Sequence, residues 1–413
     1  MSLNEQYSEL TITVTKNLSK AEKKTFGIFI TPHVIITKLL DSVLKYTSES
    51  NISIKRILEP SCGTCEIINY CDNLYHDIEI DGIEYNDKVF ASIKDLTFKN
   101  KVNIVKQDFM DYAPVKEYDL IVGNPPYFVC KKSDIQNKYH EFCTGRPNIF
   151  GLFIIHSLSM LKNGGILAFV IPKSFLNSSY YAAIRNYIKK TCVIIEIIDF
   201  KENNEFIDTD QSTFGLILQK NQENQEKSVC EECTFSIKLN DNFIFASDSL
   251  QLKQLFEGAT TIEKMGLKVK TGNIVWNEHK EELTNDDEDT LLIYNSNISK
   301  NNDLEIKNFK NEEKGQYIKK DGRIDPTLVV NRGNGNSAYK LNYAVIKRGP
   351  YLIENHLNEI YSPKKMKKDE ILAIYEKIIN SFNNPKTQQF IELFLGNNGL
   401  SKTELETIFP IYL

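Results

Sequence analysis

No stretch of this 413-residue chain is apolar over the roughly 20 residues that a bilayer crossing requires. The longest apolar runs read as buried strands. Residues 1 to 25 lack the basic start and apolar core of a secretory signal, so the chain is expected to stay in the cytoplasm. Cysteine is sparse: eight residues at irregular positions do not make a disulfide framework and fit reduced thiols. Cys62/Cys65 and Cys230/Cys233 have the spacing of a zinc knuckle, but they lie far apart and no histidine pair accompanies either. No metal is expected; the first pair reads as small residues in a tight loop and the second as part of a polar linker. Positive charge is not in excess, with 50 basic against 55 acidic residues and a net charge of −5. That balance excludes a protein that coats nucleic acid indiscriminately, and a DNA partner would need a local basic cleft.

What is present is a chain long enough for two domains, 41% apolar and 25% charged as in globular proteins. Short apolar runs at Ile54–Leu58, Ile78–Ile83, Val102–Val105, Tyr118–Val122, Ile166–Ile171, Val193–Ile198 and Phe214–Leu218 alternate with amphipathic stretches. The pattern predicts a doubly wound, seven-stranded α/β sheet with parallel strands and crossover helices. A helix is expected over Asn148–Leu161, stopped by Asn163-Gly164-Gly165. The alternation ends near residue 220, which sets a first domain at 1–220, a polar linker at 221–247 and a second, mixed α+β domain at 248–413. Helical patterns recur at about 369–382 and 386–396, and the apolar end Phe409–Leu413 is expected to fold back onto the body.

The chemistry gathers at strand ends. The first strand runs into Glu59-Pro60-Ser61-Cys62-Gly63-Thr64-Cys65, a small-residue turn that exposes backbone amides at a helix N-terminus. The next strand ends at Glu84, 21 residues past Gly63, where a carboxylate accepts both hydroxyls of a ribose. A nucleoside-bearing cofactor follows. After the third strand, Asp108-Phe109 offers an acceptor for an adenine amine and a ring against its face; the alternative is a helix-capping aspartate beside a core phenylalanine. The fourth strand delivers Asn124-Pro125-Pro126-Tyr127. An aromatic exocyclic amine is a poor nucleophile until its lone pair is drawn out of the ring. The Asn124 side-chain oxygen and the Pro125 carbonyl supply two acceptors for its hydrogens, the prolines fix the backbone, and Tyr127 offers a face on which an extruded base stacks.

With Gly27-Ile28-Phe29-Ile30-Thr31-Pro32 before them, these motifs resemble the gamma group of amino-methyltransferases, the type II DNA N6-adenine methylases of restriction-modification systems. The resemblance implies a Rossmann-like methyltransferase sheet, S-adenosylmethionine as methyl donor with S-adenosylhomocysteine as product, and double-stranded DNA as substrate. It places Phe26, Gly27, Thr31, Pro32 and Glu59 at the methionine part of the donor, beside the turn Ser61, Cys62 and Gly63. Glu84 falls at its ribose, and Asp108, Phe109 and Phe153 at its adenine. Phe206, just before the last strand, would meet the edge of the flipped base; its other role is a core residue under a loop. Lys270-Thr271-Gly272-Asn273, Val330–Gly335, Lys340–Ala344 and Ile353-Glu354-Asn355-His356 look like segments of the target-recognition domain in these enzymes. Lys270, Arg332, Asn334, Asn336, Lys340 and Arg348 are the candidate DNA contacts. A separately encoded restriction endonuclease would be a partner. The same tetrad serves enzymes that methylate a protein glutamine or structured RNA, and a recognition subunit without turnover is a third alternative; the long second domain favours DNA.

Overall fold

The computed structural model describes residues 6–413 except 20, 24–26, 28, 146, 201–211, 223–233, 240–241, 334–338 and 396–398. It divides into two units, Met1–Ser249 and Leu250–Leu413.

The first unit is built on seven strands: β1 (Arg56–Glu59), β2 (Glu79–Glu84), β3 (Lys101–Lys106), β4 (Tyr118–Gly123), β5 (Leu161–Pro172), β6 (Cys192–Asp199) and β7 (Thr213–Lys220). Their order is β3-β2-β1-β4-β5-β7-β6. All seven apolar runs expected from the sequence are strands, but the sheet is mixed: β7 runs antiparallel to both β5 and β6. The strand order reverses between β1 and β4, and in open α/β sheets ligands bind at the carboxyl ends beside such a switch.

Both faces are covered, as the near-continuous apolar character of β4 and β5 requires. Along β5 the side chains alternate between two cores. Leu167, Phe169 and Ile171 join the core beneath the helices Ile149–Met160 and Ala182–Thr191. Ile166, Ala168 and Val170 join the opposite core, shared with the helices His33–Glu49 and Glu66–Leu74. The helix Ile149–Met160 is apolar on nearly every side because it is enclosed on nearly every side. Asn148 caps it, accepting the Phe150 amide, and β5 begins directly at Leu161. Asn163-Gly164-Gly165 therefore lies inside the strand, with Gly164 at φ +80, and is not what ends the helix.

The stretch 221–247 differs from a plain linker. Ser236–Leu239 and Asn242–Phe245 pair as an antiparallel hairpin, and the buried guanidinium of Arg185 donates its Nε hydrogen to the Phe243 carbonyl at 2.6 Å. Cys230 and Cys233 lie outside the described residues.

The second unit contains two four-stranded sheets. One orders Lys268–Thr271, Leu357–Tyr361, Thr327–Asn331 and Tyr343–Ile346; the other Leu283–Thr284, Tyr317–Ile318, Thr290–Ile293 and Tyr351–Ile353. Helices follow at Lys368–Phe382 and Pro385–Phe390, and the chain end folds back, Ile411–Tyr412 pairing with Ala259–Thr260. Among the described residues no helix is long and apolar enough to cross a membrane.

Candidate active site

Four strand ends share one edge of the sheet. Beyond β1, Gly63 stands at φ +50, a left-handed value that glycine adopts without steric cost, and its amide donates to Glu84 Oε2 at 2.9 Å. Glu84 Oε1 takes the Asn86 amide at 2.6 Å. Burial pushes the Glu84 pKa up against these two amides. Each carboxylate oxygen keeps a second lone pair, and Glu84 lines a cavity of about 350 Å³ along this edge. Gly63, Ser61, Asp108, Phe109, Asn124 and Phe153 line the same cavity. Phe109 and Phe153 form an aromatic wall, their ring centroids 4.6 Å apart.

A smaller space of about 30 Å³ shares Ser61, Gly63 and Asn124 with the first and adds Thr31, Glu59 and Cys62. Glu59 is 3% exposed, and its buried Oε2 has no hydrogen-bond partner among the described residues. Burial raises its pKa well above the ordinary carboxylate range, and the nearby Cys65, Glu84 and Glu66 add to the rise. An orphaned buried carboxylate oxygen is rare in folded proteins and suits a cationic ligand. Beside it Glu66, first residue of its helix, joins three segments. Its Oε1 accepts the Ser8 amide at 3.0 Å, the Ser8 hydroxyl at 2.6 Å and the Thr11 hydroxyl, while its Oε2 meets His33 Nε2 at 2.8 Å. Burial raises the Glu66 pKa, but these donors outweigh it and hold the group below its ordinary value.

The tetrad follows β4. The Ser61 hydroxyl donates to the Asn124 carbonyl at 3.1 Å, and Asn124 Nδ2 donates to the Phe29 carbonyl at 3.0 Å. The Asn124 side-chain oxygen, expected from the sequence to be a free acceptor, takes the Tyr127 hydroxyl at 2.5 Å. That hydroxyl also reaches the Val170 carbonyl at 2.7 Å, and burial pushes its pKa up. Tyr127 is thus turned inward by its hydroxyl, with its ring half-buried against Phe150. Pro126 lines the cavity; Pro125 is buried and does not. Gly27, at φ +62, lies so close that a Cβ there would meet Pro126 Cβ and the Tyr127 nitrogen at 2.9 Å.

Other expected residues take different places. Pro32 is off the cavity wall and caps the helix His33–Glu49, its carbonyl accepting the Ile35 and Ile36 amides. Cys62 borders only the smaller space, and its thiol packs toward Gly82. Asp108 fills both of its roles: it lines the cavity and its Oδ1 caps the following turn by accepting the Met110 amide at 2.9 Å. Phe26, Phe206, Asn334 and Asn336 lie outside the described residues. In the second unit Lys270 is tethered, its Nζ 3.6 Å from Glu359 Oε2 and 4.6 Å from the Tyr361 ring centroid. Arg332, Lys340 and Arg348 are exposed. The sequence reading missed Tyr85, 59% exposed on the cavity wall, and Asn86, Phe29 and Ile30 beside it. Their signal was adjacency to Glu84 and Thr31, which singles out a place and no side-chain type.

Residues 23–206 match the model of the Eco57I restriction-modification methylase family. The modification methylase CviBIII of Paramecium bursaria Chlorella virus NC1A is 27% identical over 417 residues, covering 99% of each chain. The type II methyltransferase M.CvrRI of Paramecium bursaria Chlorella virus XZ-6E is 27% identical over 412 residues, 98% of this chain and 99% of that one. M.AccI of Acinetobacter calcoaceticus, also a type II methyltransferase, is 32% identical over 215 residues, 49% of this chain and 38% of its own. The chain is a methyltransferase, similar over nearly its whole length to modification enzymes of restriction-modification systems.

Proposed function

We propose that this restriction-modification methylase transfers a methyl group to the N6 amine of an adenine turned out of duplex DNA, at a specific sequence. The observation that carries the reading is Asn124. It stands in the wall of both spaces at the switch point, and its side-chain oxygen is held by nothing more than a tyrosine hydroxyl.

The methyl donor in this reading is S-adenosylmethionine, and the cavity suits it. Its volume falls in the range of small-molecule sites, Glu84 offers acceptors for ribose hydroxyls, Phe109 and Phe153 an apolar wall for adenine, and Glu59 an unpaired oxygen for an ammonium group. When bound, the donor supplies an electrophilic methyl on a sulfonium. The chain's own work is at the amine. The Asn124 oxygen exchanges the Tyr127 hydroxyl for one amine hydrogen, and the Pro125 carbonyl takes the other. Drawn out of conjugation, the nitrogen lone pair forms the new N–C bond as the C–S bond breaks, and the nitrogen then releases a proton to water. Tyr127, freed from Asn124, presents its ring to the base, and Phe206 is assigned to its edge. Lys270, Arg332, Asn334, Asn336, Lys340 and Arg348 remain the candidate contacts of the second unit to DNA, and a separately encoded endonuclease of the same specificity is the natural counterpart.

The test is transfer of labelled methyl to duplex DNA, with none to ribosomal RNA or a translation release factor; the reverse result overturns the reading. Asn124→Ala is expected to lower transfer by about 100-fold or more while donor binding persists.

A further inference from the structure

In the second unit three of the segments singled out by sequence meet at one point. The Gly272 amide donates to the Leu357 carbonyl at 2.9 Å, the Asn355 amide to the Ile274 carbonyl at 2.9 Å, and the Arg332 amide to the His356 carbonyl at 3.1 Å. Gly272 is needed there because a Cβ would run into the Glu354 carbonyl. The turn that results, Glu354-Asn355-His356, holds a buried carboxylate under an exposed ring. Glu354 is 2% exposed; its Oε2 accepts the His356 amide at 2.9 Å and its Oε1 lies 2.7 Å from His356 Nδ1. The His356 side chain is 70% exposed.

Burying a carboxylate is costly, and a turn can be closed by neutral side chains. What Glu354 adds is orientation. The carboxylate accepts, so Nδ1 carries the hydrogen between them, and Nε2, the nitrogen left to face outward, is the acceptor of the ring. Next to it Arg332 is exposed, pinned through Nη1 to the Asn355 carbonyl at 2.9 Å, and no carboxylate pairs with it among the described residues. A fixed guanidinium, which only donates, beside a fixed imidazole whose outer nitrogen accepts is a recognition point for a target that presents an acceptor next to a donor.

We propose that Arg332 and His356 form a DNA-contacting pair, with Glu354 as the positioning residue that holds the imidazole. The inference rests on the reading of this chain as a duplex-DNA methylase. The target is a pair of atoms on the duplex: Arg332 donates to a phosphate oxygen or a purine N7, and His356 Nε2 accepts from the exocyclic amine of an adenine or cytosine in the major groove.

The test uses the full chain and a duplex containing the site found by methylation mapping. If the wild-type protein methylates no duplex, the functional reading fails and the pair is not at issue. If it does, His356→Gln and Arg332→Ala are each expected to raise KM for the duplex about tenfold, with donor affinity and thermal midpoint unchanged. Glu354→Gln moves KM the same way. For Arg332→Ala, a weakening equal across sequences with the salt slope reduced by about one identifies a phosphate, and loss of discrimination at one base pair a purine N7; for His356→Gln, loss of discrimination at one base pair identifies the exocyclic amine. Lys300→Ala, another exposed cation of the unit, is the charge control. Unchanged KM, salt slope and site preference in both the His356 and Arg332 variants overturn the proposal.

Discussion

At the reacting centre the acceptor assigned to the substrate amine is already engaged, because the Asn124 oxygen takes the Tyr127 hydroxyl. A base entering this site replaces one hydrogen bond with another. Tyr127→Phe removes the competing donor and leaves the ring. We expect methyl transfer to persist and KM for DNA to fall by about threefold to tenfold, the equivalent of one ordinary hydrogen bond. Enhanced fluorescence of 2-aminopurine at the target position checks it, and a variant with the same flipping signal and KM as wild type rules the competition out. Glu59 carries a second residue-level prediction. Its pKa is raised in the folded protein, so its contribution is unfavourable above the unfolded value of 4.5, and stability falls as pH rises from there toward the folded pKa. Glu59→Gln is expected to raise the thermal midpoint of the donor-free protein at pH 7 to 8 and to weaken donor binding about tenfold or more. Because an ammonium ligand favours the carboxylate, donor binding releases a proton, measurable by calorimetry in buffers of different ionisation enthalpy.

Among the elements, the N-terminal helix Glu9–Asn17 owes its place to Glu66 at one end, and to Leu10, Val14 and Leu18 against Val89 along its length. The Glu66 pKa is depressed, so its stabilisation is fully present above pH 4.5 and is lost as pH falls through the folded value. Glu66→Ala removes the acceptor shared by the Ser8 amide and the Ser8 and Thr11 hydroxyls and is expected to cost about 1–3 kcal/mol by urea denaturation at pH 7, with a smaller difference at pH 3. An equal difference at both pH values counts against the pairing. How the elements were legible follows from the same physics. β4 and β5 announced themselves as short apolar runs because both faces are buried. The antiparallel sense of β7 was not visible, since periodicity records which face a side chain takes and carries no information about strand direction. The hairpin at 236–245 was hidden by its polar surroundings, and it holds through Arg185, distant in sequence.

For the whole molecule, the division falls between Ser249 and Leu250. The described residues that line the cavity proposed for the donor belong to the first unit, so a fragment of residues 1–249 is expected to bind S-adenosylmethionine within about threefold of the full chain while losing sequence-selective DNA binding. Equilibrium dialysis and gel-shift assays check the two halves of that statement; a fragment that keeps site preference places recognition in the first unit. The sequence by itself determined the seven strands, the glycine turn, the strand-end acids and the tetrad, because those depend on local chemistry: apolar runs along a strand, chain direction at a glycine, an acid at a strand terminus, two prolines fixing a backbone. Only the tertiary structure decided that the Asn124 oxygen is capped by Tyr127, that Pro32 caps a helix away from the cavity, that Tyr85 stands on its wall, and that Glu354 lies buried beneath His356. Each of these is set by which remote group comes within hydrogen-bonding or packing distance, and spacing along a chain does not encode that distance.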